Sequence, residues 1–340
     1  MILNLVYPGP NCQSSGDSMD FSELVQHTFA DLGFDVVAVW NVFEADHDWQ
    51  LGWKCRLPAV NFKSNTALVM YLQDRVTIVN GRVMELEKIV QHYGENSKQI
   101  VAVHMHPGLD EIYSGPLKLI EFSKHNYDLV NNLRSQIELW QHIPQQPKTM
   151  SWQCLNGRPC QHRRRAVDIL KTWPNGILSY GNDIPLTEWD YNTYPTTYPE
   201  YLGTNEENFV RLAQVYGSCA FNIVTETLYD EYPGLYSEKT LLAFLAHQIP
   251  IIIGTPRLVE KLRLRGFDMF DDIVDHNYDH APNNRRVEIA LESNKPVISV
   301  QYNTSPLLSR LRANQELALN TLPDWYRTNF KIRAEQLLTC

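Results

Sequence analysis

The sequence predicts an α/β protein built from two Rossmann-like halves, each with a parallel β-sheet. Short buried apolar runs alternate with segments whose apolar residues recur at helical spacing, which is the pattern of βαβ units. This alternation stops at the proline- and glutamine-rich segment 142–150, HIPQQPKTM, and then starts again. A chain of 340 residues is also too long for one small core and suits two domains of ordinary size.

The composition is typical of a soluble folded chain. Hydrophobic residues make up 44% and charged residues 20% of the sequence, and the formal net charge of -9 argues against a protein that coats nucleic acid. No apolar run approaches the ~20 residues that span a bilayer, and segment 1–7 lacks the basic start of a secretory signal. We therefore expect no membrane insertion and a cytoplasmic location. The cysteines lack CxxC spacing, which indicates reduced thiols.

The first half opens like a Rossmann domain. Gly33 follows an amphipathic segment and precedes a β-branched run, which indicates a helix that ends before a strand. Segment 41–58, rich in carboxylates and tryptophans, suits either a loop that binds a sugar or base acceptor or a surface hairpin. No GxGxxG fingerprint is present, so no dinucleotide is inferred. The predicted elements are strand 2–7, helix 21–32, strand 34–40, apolar runs 66–72 and 76–79, helix 83–93, strand 99–106 and helix 126–140.

The second half repeats this order of strands and helices. A strand, a basic turn and a helix come first, and an insertion rich in Tyr, Thr and Pro follows at 185–203. The predicted elements are strand 149–155, helix 161–171, strand 176–180, helix 206–215, strand 220–225, a helix that Ser237 caps, strand 249–254, helix 256–265, strand 266–270, and helices at 284–293 and from 305 onward.

Segment 219–254 carries the strongest functional signal. It reads as a buried strand, a polar loop, a helix and a second buried strand, which is one βαβ unit of a parallel sheet. Ligands of such sheets bind where strands end and helices begin. Glu226, Glu238 and Lys239 all fall at that edge.

The same segment resembles the donor-binding region of fucosyltransferase-like glycosyltransferases. The resemblance rests on Glu226 at the end of a strand, the tetrad Tyr236-Ser237-Glu238-Lys239, and the strand IPIIIG that ends at Gly254. Thr227 stands where that family usually has asparagine. The resemblance implies a GT-B fold, in which two Rossmann-like domains with parallel sheets face a central cleft. It also implies a nucleotide-diphosphate sugar as co-substrate, with no tightly bound cofactor and no metal.

This fold implies that successive parts of the chain form domains with separate roles. Residues 1–142 would form the acceptor-side domain, 143–150 the linker and 151–304 the nucleotide-sugar domain. Residues 305–340 would form helices that pack back across the domains.

Transfer from a nucleotide sugar requires cations for the leaving diphosphate and carboxylates for hydroxyl groups. Lys239 lies in the first turn of its helix, where the helix dipole disfavours a cation unless an anion is bound there. A run of arginines begins another helix, and the sequence does not distinguish which member would face the diphosphate. The residues predicted to bind the donor are Arg163, Arg165, Glu226, Ser237, Glu238, Lys239 and Gly254.

The base that deprotonates the acceptor is expected in the first half. The candidates are Asp17, Glu44, Asp46 and His106, with His104 considered beside them.

The acceptor is assigned by a second resemblance. The segment SEK, the strand IPIIIG and the later LRLRGF, which ends at Phe267, also resemble bacteriophage proteins. This implies transfer to a hydroxylated (hydroxymethyl) base of phage DNA in the host cytoplasm, with a duplex or a flipped base as partner. Trp49, Trp53 and the basic run at Arg163 would then serve the DNA.

Three alternatives stay open from the sequence. In the first alternative, the acceptor is a lipopolysaccharide or another glycan. In the second, the chain is a metal-dependent hydrolase whose metal ligands come from Asp46, Asp48, His104, His106 and Asp110. In the third, the chain is a non-catalytic protein that binds a nucleotide sugar.

Overall fold

The computed structural model describes residues 17–41, 59–72, 78–79, 82–104, 109–122, 147–156, 160–180, 212, 215–229 and 236–338. The chain divides into two compact units: the first comprises Met1–Asp128 and Asp324–Cys340, and the second comprises Leu129–Pro323. Strand 2–7, helix 126–140, most of loop 41–58 and most of helix 206–215 lie outside the described residues. The predicted boundaries at 142, 150 and 304 stay predictions.

The first unit contains a four-stranded parallel sheet. Its strand order is β1-β2-β5-β6, and a short antiparallel pair, β3-β4, precedes α2. Its elements are α1 (Asp17–Asp31), β1 (Asp35–Asn41), β2 (Thr66–Leu72), β3 (Ile78–Val79), β4 (Arg82–Val83), α2 (Met84–Tyr93), a 3₁₀ helix (Gly94–Gln99), β5 (Ile100–His104), α3 (Leu109–Ile112) and β6 (Lys118–Glu121). The central strands are continuous apolar runs because both faces of a parallel sheet are covered.

Aromatic rings close the core of this unit. Phe122 follows β6 and is fully buried, with its ring centroid 5.5 Å from those of Tyr326 and Phe330. Phe29 of α1 meets Phe330 edge-on at 6.3 Å. The sequence correctly placed the end of α1, where Gly33 adopts a left-handed φ of 77°.

The second unit also contains a four-stranded parallel sheet, in the order β10-β9-β7-β8. The described structure is therefore mixed α/β with parallel sheets, as predicted. The elements are β7 (Met150–Asn156), α4 (Gln161–Leu170), β8 (Gly176–Tyr180), β9 (Cys219–Thr225), α5 (Glu238–Leu245), β10 (Ile249–Ile253), α6 (Leu258–Leu264), a 3₁₀ helix (Asn277–His280), α7 (Arg286–Ile298), α8 (Leu308–Glu316) and α9 (Leu322–Leu338), whose residues from Asp324 onward belong to the first unit.

The strand predicted at 266–270 does not form. Gly266, at a φ of 93°, ends the turn after α6, and the N–H of Phe267 donates to the Leu262 carbonyl. The N–H of Asp268 then donates to the side chain of Asn314, at 2.8 Å. These groups are satisfied by a helix end and a distant side chain, so no ladder partner is needed.

A buried tyrosine covers the outer edge of β10. The hydroxyl of Tyr278 accepts a hydrogen bond from the Ile252 N–H (3.0 Å). It donates to Nδ1 of His276 (2.9 Å), because Nε2 of that ring donates to the Met269 carbonyl (2.7 Å). Burial raises the pKa of Tyr278, so the hydroxyl stays protonated and can donate.

Replacing Tyr278 by phenylalanine is expected to lower the free energy of unfolding by about 2 kcal/mol, because two buried polar groups lose their partner. Urea unfolding measures the change. Tyr302→Phe is the matched control, since Tyr302 is only half-buried. Equal stability of Tyr278→Phe and the native chain would show that the Ile252 N–H and Nδ1 of His276 do not depend on the Tyr278 hydroxyl for a hydrogen bond.

Candidate functional site

The candidate site lies at the carboxyl ends of β7 and β9. Strand β8 pairs with one side of β7, and β9 pairs with the other side. The order of strands along the chain therefore reverses its direction across the sheet between β7 and β9. Helices α4 and α5 start beside this point. Crevices at such reversals are the usual ligand sites of open parallel sheets.

Glu226 lies at the centre of the site, directly after β9, and its side chain is buried. One carboxylate oxygen, Oε1, accepts from the N–H of Ser237 (2.9 Å) and the hydroxyl of Thr240 (2.6 Å). The other, Oε2, is buried and has no hydrogen-bond partner among the residues that the structure describes. A buried carboxylate oxygen without a donor is energetically costly, so this atom keeps an unused capacity to accept a hydrogen bond.

Ser237 caps α5, as the sequence predicts. Its backbone is extended, and its side chain accepts from the N–H of Lys239 at 3.3 Å. Glu226 adds a second contact to the same helix start through the Ser237 N–H. Two consecutive segments of the βαβ unit are thereby joined by side chains.

Lys239 and Glu238 form a partly exposed ion pair at this helix start. The Lys239 ammonium lies 2.6 Å from Oε1 of Glu238, and the two side chains are 26% and 17% exposed. Burial alone would lower the pKa of Lys239, but the carboxylates of Glu238 and Glu226 outweigh it and raise the pKa above its ordinary value. The ammonium therefore remains charged at the start of the helix that Glu226 contacts through Ser237 and Thr240.

Of the arginine run on α4, Arg163 faces the site. Its side chain is 3% exposed, and Nη2 donates to the carbonyl of Thr225, the last residue of β9, at 3.1 Å. Thr225 directly precedes Glu226, so the Arg163 guanidinium contacts the backbone one residue before the buried carboxylate. Arg165 instead donates to the Asn284 carbonyl at 3.3 Å, and Arg164 is exposed.

Gly254 allows the ends of β9 and β10 to approach closely. A Cβ atom at this position would lie 3.2 Å from Cβ of Glu226 and 2.6 Å from Cδ2 of Leu258. A larger residue would push Glu226 away from α5. The glycine thus has a packing role in the site.

The sequence did not indicate a stack of three side chains behind Glu226. His162 donates from Nε2 to the Glu226 carbonyl (2.9 Å), and its ring stacks on Tyr229, with centroids 4.5 Å apart. The guanidinium of Arg286 lies over the Tyr229 ring at 5.0 Å. No periodicity or motif marks these residues, because they meet only through the fold.

The predicted base candidates lie mostly outside the described structure. Glu44, Asp46 and His106 are not described, and Asp17 is the first residue of α1, with only its backbone described. His104 ends β5, and its Nε2 lies 2.9 Å from Oδ1 of Asp110. The roles of the base candidates therefore stay predictions.

Asp110 joins His104 to the last helix of the first unit. Arg333 donates to Oδ2 of Asp110 at 3.2 Å. Burial would raise the pKa of Asp110, but the hydrogen bond and charge of His104 and the guanidinium of Arg333 lower it below its ordinary value. Within the described ranges, no group of three or more His, Cys, Asp or Glu side chains is placed to hold a metal ion.

Comparisons with known proteins add little to this geometry. No family model matches the chain, and no curated protein matches it. One solved structure that it matches is the H548A form of the wall teichoic acid polymerase TagF, at 12% identity, over 88% of this chain and 74% of that one. The TM-score of 0.26 is too low to establish a common fold. Among the helices described here, none is long and apolar enough to cross a membrane.

Proposed function

We propose that this chain is a glycosyltransferase that binds a nucleotide-diphosphate sugar at the carboxyl edge of the second sheet. The observation that carries the proposal is the buried Oε2 of Glu226, which lacks a partner in the described structure. Lys239 lies in the first turn of the helix that Glu226 contacts, and Arg163 donates to the carbonyl of Thr225, the residue before Glu226. The sequence resemblance assigns the same residues to a sugar donor. The acceptor-side role of the first unit remains part of the proposal.

Each proposed contact follows from the charge of a donor group. The diphosphate would bind near Lys239 and Arg163, at the start of α5, where backbone N–H groups and cations favour an anion. These cations would also stabilise the negative charge that develops on the diphosphate as the anomeric bond breaks. Glu238 and Glu226 would accept hydrogen bonds from donor hydroxyl groups. A residue of the first half, among those predicted, would deprotonate the acceptor.

The direct test is calorimetry with a panel of nucleotide-diphosphate sugars, using Glu226→Gln. In this variant the amide oxygen retains the bonds from Ser237 and Thr240, while the amide nitrogen replaces Oε2 and cannot accept a bond. We expect donor affinity to fall about 30-fold, because a charged hydrogen bond contributes about 2 kcal/mol. The free energy of unfolding should be unchanged or higher, since a buried charge is removed.

Glu292→Gln is the matched control, because Glu292 is exposed on α7 and the chemical change is the same. This control should bind the donor as the native chain does. If the native chain binds none of the sugars, or if Glu226→Gln binds them equally well, the proposed function is wrong.

For the acceptor, we propose a hydroxylated base of phage DNA, on the basis of the resemblance of SEK, IPIIIG and LRLRGF to bacteriophage proteins. Retention on duplex DNA that weakens steeply with salt would support this acceptor, because phosphate contacts release counterions. Transfer to a glycan with no retention on DNA would favour the alternative acceptor.

A further inference from the structure

Arg286 is a charged side chain that lies fully buried behind the candidate site. It begins α7, is 1% exposed, and uses two nitrogens to donate four hydrogen bonds. Nη1 donates to the carbonyls of Tyr229 (3.0 Å) and Gly254 (2.9 Å). Nη2 donates to the Ala281 carbonyl (2.9 Å) and to Oδ1 of Asn283 (2.6 Å). One guanidinium thus joins the loop after β9, the turn after β10 and the segment before α7.

The same loop is held by ring contacts. The guanidinium covers the Tyr229 ring on which His162 stacks, and His162 donates to the Glu226 carbonyl. The Tyr229 hydroxyl donates to the Asn283 carbonyl. The backbone of 226–229 is therefore fixed at both of its ends.

This arrangement requires the shape of an arginine. The planar guanidinium directs its N–H groups at four oxygens from three separate segments, whereas a lysine ammonium has three donors around one point. A lysine at 286 would keep the charge but would leave buried oxygens without a donor. The loop after β9 would then lose its fixed distance from Gly254.

We infer that Arg286 is a positioning residue for the proposed nucleotide-sugar site, which it serves by holding the Glu226 loop against the turn at Gly254. The inference rests on the proposed function. Arg286 acts through the backbone that carries Glu226 and through Tyr229. It has no assigned contact with the substrate.

The test compares Arg286→Lys with Arg310→Lys in the full chain. Arg310 is a matched control, since it also donates four hydrogen bonds, to Asp268 and Asp272, and lies over the Phe270 ring in the same unit. Donor affinity is measured by calorimetry at a temperature where circular dichroism shows both variants to be folded. We expect about a tenfold weaker affinity in Arg286→Lys and unchanged affinity in Arg310→Lys, with loss of stability in both.

Hydrogen exchange gives a readout that does not need a donor. Peptides covering 226–229 and 236–240 should exchange faster in Arg286→Lys and at the native rate in Arg310→Lys. If Arg286→Lys does not fold, Asn283→Ala removes one of the four acceptors and should produce about a threefold loss of affinity with the same local exchange.

The outcomes separate the two proposals. If no nucleotide sugar binds the native chain, the proposed function fails, and the positioning role falls with it whatever the exchange shows. If the native chain binds a donor but the folded variant, Arg286→Lys or Asn283→Ala, shows native affinity and native exchange, Arg286 is not a positioning residue.

Discussion

Replacing Trp152 by alanine is expected to lower the free energy of unfolding by about 3–5 kcal/mol, the range for removing a fully buried tryptophan. Trp152 lies on β7, between β9 and β8, and is 1% exposed. Its indole packs directly on Gly176, where a Cβ atom would lie only 1.9 Å from Cε2. Its Nε1 donates to the Pro174 carbonyl at 3.0 Å, and its ring meets Trp173 edge-on.

Urea unfolding of the full chain, followed by far-ultraviolet circular dichroism, measures this loss. Trp325→Ala is the matched control, because Trp325 is 40% exposed on α9 and its removal creates no buried cavity. A loss below about 1 kcal/mol in Trp152→Ala would contradict the prediction, since it would require the sheet to close over the missing indole.

The second large effect is the loss of stability in acid that His247 causes. Burial lowers the pKa of His247 from 6.5 to about 4, and the positive charges of Lys148 and Arg312 lower it further. The unfolded chain binds a proton near pH 6.5, whereas the folded chain keeps the ring neutral. Stability is therefore retained above about pH 6.5 and falls by about 3 kcal/mol as the pH drops to about 4.

Urea midpoints at several pH values between 7 and 4 measure this slope. His247→Asn should flatten it, and asparagine tolerates the left-handed φ of 53° at this position. His280→Asn is the control, since the His280 side chain is 63% exposed. A slope that is equally steep in His247→Asn and in the native chain would assign the acid sensitivity to other groups.

The βαβ unit around Glu226 could be predicted because its signals are local. Strands β9 and β10 are short runs of buried, mostly apolar residues, and the side chain of Ser237 caps the helix that directly follows it. These features depend on residues a few positions apart, so sequence spacing suffices to place them. The edge at which the site lies follows from the order of the elements alone.

Features that depend on distant contacts could not be predicted. The sequence contains a run of arginines, and only the folded position of α4 brings Arg163 to the Thr225 carbonyl and Arg165 to the Asn284 carbonyl. From the sequence, Glu226 is expected to pair with a ligand or a basic side chain. In the structure, its Oε1 instead accepts from the Ser237 N–H and the Thr240 hydroxyl, at the start of α5. The strand expected at 266–270 is replaced by a turn that a side chain of α8, Asn314, holds.

The cover on the outer side of β10 has a consequence for self-association. Residues two apart on a strand point their N–H groups to the same side. On the outer side, Ile252 already donates to Tyr278, and Pro250 has no N–H to offer. A β-strand of another molecule that docked on this side would find no free N–H donor at either position. The outer edge of β10 is therefore a poor template for amyloid-like stacking.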